Sequence, residues 1–151
     1  MIKILKSLLY VFFFLLLISG LHAQNNFFND VSEATIKQTA QKRVLIPSKY
    51  RTIRLDSSGL LSFFQLLPSE EKITNRNLAP VIAIPMPDGT TASFRIWESA
   101  AMAPELAKVY TSIKTFTGQG IDDPTATIKL DWTMYGFHAM ILSPVSGAVF
   151  I

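Results

Sequence analysis

The sequence predicts an α+β domain, mainly an antiparallel β-sheet meander with two or three short helices, following an N-terminal signal peptide. Three observations carry this reading. Residues 125–132 alternate between polar and apolar without a break, as a half-buried antiparallel strand does. Asp88-Gly89 separates two β-rich runs, and this dipeptide accepts the positive φ of a tight hairpin turn. Only one stretch, residues 57–67, carries a wide apolar stripe at helical spacing.

The leader comes first. Lys3 and Lys6 precede an unbroken apolar run over residues 8–18, and Ser19-Gly20-Leu21-His22-Ala23 follows before the polar Gln24-Asn25-Asn26. A basic start, an apolar centre and a small residue before a polar one make the three-part pattern of a cleavable export signal. The apolar run is about half the roughly 20 residues that span a bilayer, so contact with the membrane is expected only in transit. Cleavage is expected between Ala23 and Gln24, although Leu21 is larger than the pattern prefers. Gln24 stands where a lipoprotein needs Cys. The expected division is therefore residues 1–23 as signal peptide and residues 24–151 as one domain, exported to the medium or the cell surface.

The chain has 14 Lys and Arg against 11 Asp and Glu, and two of the bases lie in the leader. A near-neutral domain gives no footing to nucleic acid or to an anionic membrane. The absence of any cysteine means that packing must hold this domain, without disulfides, and it excludes thiolate chemistry and cysteine metal sites.

Along the domain, Asp30 or Ser32 can cap a short helix over residues 33–41, with Ala34, Ile36 and Ala40 as its sparse apolar positions. Val44-Leu45-Ile46, closed by Pro47, and residues 50–55 read as extended. Asp56 caps the clear helix, whose stripe is Leu60, Leu61, Phe63, Phe64 and Leu67 and which Pro68 ends. Residues 69–79 are a polar loop. Residues 81–84 and 92–98 flank the Asp-Gly turn as a hairpin, and Pro104 opens a second helix that reaches Tyr110, its missing donor costing nothing at a first helical position. Residues 112–117 are extended, and residues 118–124 are a turn-rich loop. Ala126, Ile128, Leu130 and Trp132 then share one strand face, with Thr125, Thr127, Lys129 and Asp131 on the other. Residues 136–142 and 147–151 complete the meander around Ser143-Pro144-Val145-Ser146. The last strand stops on apolar residues with nothing to cover its edge, so the chain reads as truncated there.

Candidate chemistry is sparse. A hydrolytic zinc site needs clustered imidazoles or carboxylates, typically His-Glu-x-x-His, and His138 is the only histidine outside the leader. His138 lies in an apolar run and reads as an ordinary sheet position. Asp122-Asp123-Pro124 with Asp131 could offer oxygens to a hard cation but fits turn chemistry better. Gly118-Gln119-Gly120 lacks the third glycine and the helix of a phosphate loop. Gly-x-Ser-x-Gly does not occur. Lys42, Arg43, Lys49, Arg51 and Arg54 allow a processing site at Lys42-Arg43 or an anion patch, and read more simply as solvated strand faces. Trp97 and Trp132 could form a sugar platform, but tryptophans on alternating strands are usually core. No catalytic, cofactor-binding or metal-binding residue is assigned.

Five strings taken in order resemble the N-terminal region of secreted, reprolysin-like zinc metallopeptidases of Gram-negative bacteria. They are Arg43-Val44-Leu45-Ile46-Pro47 with Tyr50-Arg51, Pro85-Met86-Pro87-Asp88-Gly89-Thr90, Met102-Ala103-Pro104-Glu105-Leu106, Gly118-Gln119-Gly120-Ile121-Asp122-Asp123-Pro124, and Gly136-Phe137-His138-Ala139-Met140-Ile141. The resemblance implies a propeptide-like leading region, with zinc held by a catalytic domain absent from this chain. Its partners would be that catalytic domain in cis and, through it, protein substrates. Without a cysteine to cap zinc, latency would come from surface contact, through an exposed strand or the Asp122-Asp123 loop. The alternative is an exported adhesion or carbohydrate-binding β module with Trp97 or Trp132 facing solvent.

Overall fold

Asp88 sets the first hairpin of the main sheet. Its Oδ1 accepts from the Thr90 backbone N–H at 3.0 Å and from the Thr90 hydroxyl at 2.6 Å, and Gly89 takes a φ of 91° between them. This turn joins β3 (Val81–Pro85) to β4 (Thr91–Glu98) in the computed structural model, which describes residues 26–36 and 47–151. The sheet continues through β5 (Lys114–Gly120), β6 (Thr127–Thr133), β7 (Gly136–Ser143) and β8 (Gly147–Phe150). Each strand pairs antiparallel with the next in sequence order. The protein is thus an α+β domain dominated by an antiparallel meander, as its alternation predicts.

The six strands curl into a half-barrel. Residues from the two edge strands, β3 and β8, line one shared groove, bridged by residues 47–53. Glycine allows part of this curvature. Gly118 lies directly between Ile96 of β4 and Ile128 of β6, and a Cβ there would run into the Arg95 carbonyl oxygen and both isoleucine side chains. Gly118 and Gly120 are therefore strand residues at a close approach of neighbouring chains, and the turn-rich loop expected from residue 118 is corrected to the short link after Gly120.

The open side of the half-barrel is filled from the amino-terminal part of the domain. β1 (Phe28–Asp30) and β2 (Ile53–Leu55) form a two-stranded antiparallel ribbon, and α1 (Ser57–Phe64) follows. Asp56 caps α1 by accepting from the Gly59 N–H at 3.0 Å. Leu60, Phe63 and Phe64 are buried along its inner face. The helix ends at Phe64 instead of Leu67, because Leu66 and Leu67 donate to the carbonyls three residues back, tightening the last turn before Pro68. Leu67 is still buried in the core.

Phenylalanine dominates the junction. Phe64 stacks on Phe116 of β5 with ring centroids 4.1 Å apart, Phe28 meets Phe137 of β7 at 5.8 Å, and Phe27 meets Phe63 at 5.3 Å. Around them lie Ile82, Ile84, Phe94, Ile96, Ile128, Leu130 and Ile141, all nearly or fully buried. The inward set of β6 is the one its alternation predicts, with Trp132 partly buried against the same core.

Two expectations change at the edges of the domain. Ser32 makes no side-chain cap, the turn is 3-10 over Glu33–Thr35, and Ile36 is extended at φ −87°, ψ 122°. No residue of that turn is buried, so no apolar face holds a helix onward from Thr35. The remainder of that expected helix, Lys42-Arg43, Val44-Leu45-Ile46 and the leader with its Ala23–Gln24 bond lie outside the described residues. The second helix forms as expected as α2 (Pro104–Val109), with Pro104 in its first turn.

If the phenylalanine junction holds the ribbon and helix in the half-barrel, truncations there must cost as much as ordinary core truncations. Leu60→Ala should destabilise by about 2–5 kcal/mol and Phe64→Ala by about 3–5 kcal/mol in urea unfolding. A loss below about 1 kcal/mol for Phe64→Ala would show that the sheet stands without its plug.

Candidate functional site

The residues singled out for chemistry are dispersed by the fold. His138 on β7 faces outward, and its Nδ1 lies 2.9 Å from Oδ1 of Asp131 on β6, its direct cross-strand neighbour. Asp123 sits near the other end of β6, in the β5–β6 link. Its carboxylate accepts from the Thr125 N–H at 3.0 Å, from the Thr125 hydroxyl, and from the Ser143 hydroxyl at 2.7 Å. The Ser143 oxygen in turn accepts from the N–H groups of Val145 and Ser146 at 3.0 and 3.1 Å. Asp123 is therefore a strut between two turns, and Asp131 does not join it in a shared cation site.

Of the basic cluster, Arg51 has a structural role. Arg51 grips Asp30 through two nitrogens at 2.6 and 2.7 Å and donates to the Thr90 carbonyl at 2.7 Å, tying the ribbon to the first hairpin. Trp97 is buried beneath the Arg76 guanidinium, which lies 4.9 Å from its ring centroid. Its indole N–H finds no acceptor among the described residues. With Trp97 covered and Trp132 leaning on the core, neither offers the flat, open face of a sugar platform.

Besides a polar hollow of about 350 Å³ between the ribbon and β3, filled at its rim by the Asp30–Arg51 pair, the described residues present a cleft, a groove and one outer face. A cleft of about 450 Å³ lies beside the connection from β4 to β5, with Glu70, Glu98, Lys114 and Thr115 among its walls. Of its charges, Glu70 pairs with Arg76 at 3.2 Å and Glu98 with Lys114 at 3.5 Å, and Glu71 stands beside them. The second is the groove of about 250 Å³ between β8 and residues 47–53, walled by Tyr50, Pro85, Pro87 and the backbone of residues 148–151.

The outer face of β7 and β8 is the strongest candidate for function. Phe137, Ala139 and Ile141 point into the half-barrel, yet beyond His138 the opposite set on β7 is also apolar: Met140 stands beside Phe150, and Leu142 beside Ala148. Phe150 is 73% exposed and Leu142 46%. Beyond them Met134, Tyr135 and Val145 stand almost free in solvent on the flanking turns. From Trp132 to Ile151 the chain contains no Lys, Arg, Asp or Glu. Edge strands that are left to solvent are normally guarded by charge, and this one is not.

Alternation alone marks only the inward set. The outward set was legible as two apolar parities on β7 and as the absence of charge after Asp131, a signal that period-two reasoning passes over. Comparison with models of known protein families, with curated proteins and with solved structures finds no match to this chain.

Four carboxylates have their pKa values held below the ordinary 3.8: Asp30 on β1 by the Arg51 guanidinium, the capping Asp56 by the Gly59 N–H, and in turns Asp88 by the Thr90 hydroxyl and Asp123 by the Thr125 and Ser143 hydroxyls. A depressed folded-state pKa contributes stability that is complete above the unfolded value and is lost as pH falls through the folded one. Thermal midpoints should therefore be flat at neutral pH and decline as pH drops below 3.8. Asp123→Ala should lower the midpoint at pH 7 and shrink that acid-side decline. An unchanged acid limb in this variant would remove Asp123 from the account.

Proposed function

We propose that this chain is the exported, non-catalytic pro-region of a secreted, reprolysin-like zinc metalloendopeptidase. It assists the folding or latency of a catalytic domain carried on the same polypeptide, and the zinc belongs to that domain. The observation that carries the reading is the uncharged outer face of β7 and β8, where Leu142, Phe150 and the half-buried Met140 form an apolar surface suited to another folded domain. The ordered strings that resemble such pro-regions support it too. Pro85 through Thr90 build the first hairpin, Gly118 through Pro124 the strand-and-turn beside the Asp123 strut, and Gly136 through Ile141 the strand that bears this surface.

In this reading the domain performs no chemistry. It meets the catalytic domain through packing, and the neutrality of the surface means that the contact does not depend on salt.

The test is the purified domain added in trans to the mature peptidase. It should slow cleavage of a protein substrate or raise the yield of active enzyme on refolding. Phe150→Asp and Leu142→Glu should each weaken that effect at least tenfold, about 1.4 kcal/mol, while leaving the thermal midpoint within a few degrees. A domain that neither inhibits nor assists refolding would end the pro-region reading.

A further inference from the structure

The groove at the β8 edge has the form of a site for one added strand. Ala139 of β7 and Ile151 exchange both backbone hydrogen bonds, each at 2.9 Å. Hydrogen-bonding direction alternates along a strand, so Val149 and Gly147 also face β7, and Ala148 and Phe150 turn their N–H and C=O groups the other way. Those outward groups point toward the groove that residues 148–151 line. No described strand pairs with them.

The opposite wall cannot meet this need itself. By the same alternation, Met86 donates to Thr90 and Ile82 and Ile84 face β4, so Val81, Ala83 and Pro85 form the outward edge of β3. Pro85, nearest the groove, has no N–H, and neither do Pro47 and Pro87 beside it. Among the described residues the two edges do not pair at this end, where one side offers a strand edge and the other offers prolines.

Chemistry narrows the occupant. Lys49 and Arg51 line the groove, and no Asp or Glu side chain is among its lining residues. The charge of Arg51 is matched by Asp30, which leaves Lys49, whose other electrostatic neighbour is the Asp88 carboxylate at the hairpin turn. Toward the core the groove presents Ile53, Pro85 and Val149. We infer that the β8 edge binds an extended polypeptide segment by antiparallel strand addition, apolar where it meets Ile53 and Val149 and carrying a carboxylate opposite Lys49. This deepens the pro-region reading by naming the form and charge of the segment that the partner domain contributes, and it rests on that reading only for the segment's source.

The experiment is amide hydrogen exchange on the full chain, expressed with its own leader, with and without a synthetic peptide alternating valine and glutamate. The N–H groups of Ala148 and Phe150 should exchange fast alone and several-fold more slowly with this peptide. A valine–lysine peptide should protect them much less. Ala148→Pro removes one outward donor and touches no β7–β8 bond, so protection at Phe150 should be lost with the thermal midpoint kept. Lys49→Glu, which leaves the strand intact, should reverse the preference between the two peptides. Amides already protected without peptide would overturn the inference, since the edge would then be paired within the chain. Protection that rises with protein concentration would overturn it in favour of a second copy, and no protection by either peptide would overturn it outright. Peptide protection together with failure of the trans assay would retain the groove and discard the peptidase partner.

Discussion

Six strands in a meander curve but do not close, and the whole domain depends on what fills the resulting gap. That filling is aromatic: Phe27 and Phe28 from the ribbon, Phe63 and Phe64 from α1, meeting Phe116 and Phe137 of the sheet. Large rings suit the task, since each removes a wide apolar area from water at the cost of few rotatable bonds. Without them, the inward isoleucines of β3, β4, β6 and β7 would face solvent on a sheet covered on neither side. The Asp56 cap and the Arg51–Asp30 grip matter because they aim these rings, one by starting α1 and the other by fixing the ribbon to the Thr90 carbonyl.

The same sheet has a second, quite different surface. Its outer face runs from the covered Trp97 on β4, through Thr117 and Lys129, to Met140 and Phe150, so polarity is lost toward β8. Solvent-facing strands usually keep polar residues on this side. The gradient places the apolar face on the same strand as the backbone edge that no other described strand pairs with.

Much of the architecture was legible because it rests on local rules. The Asp88-Gly89 turn, the Asp56 cap, Pro104 at a helix start and the alternation around Ile128 each have a short-range cause. What was not legible depends on tertiary neighbours. Gly118 and Gly120 look like turn residues, and only the proximity of Ile96, Ile128 and the Arg95 carbonyl to the first, and of Ala126 and the Asp123 carbonyl to the second, shows why the strand needs them. The stretch after Ser32 has helix-compatible residues but nothing to pack on. Of the candidate site, the apolar strand after Ser146 was readable, whereas the exposure of Leu142 and Phe150 required knowing which face of the sheet the plug occupies.

The meander also orders events in time. Every partner within the sheet is the next strand along, and apart from the β4–β5 connection that carries α2 these contacts form over short loops and close quickly. The aromatic filling is the opposite case: Phe28 must wait for Phe137, most of the chain away. A chain that emerges amino end first can bring Phe27 to Phe63 early and Phe64 to Phe116 with β5, but it carries Phe28 without its ring partner until β7 arrives. For this domain the interval in which apolar surface is exposed to wrong partners is thus set by the delay between the two ends.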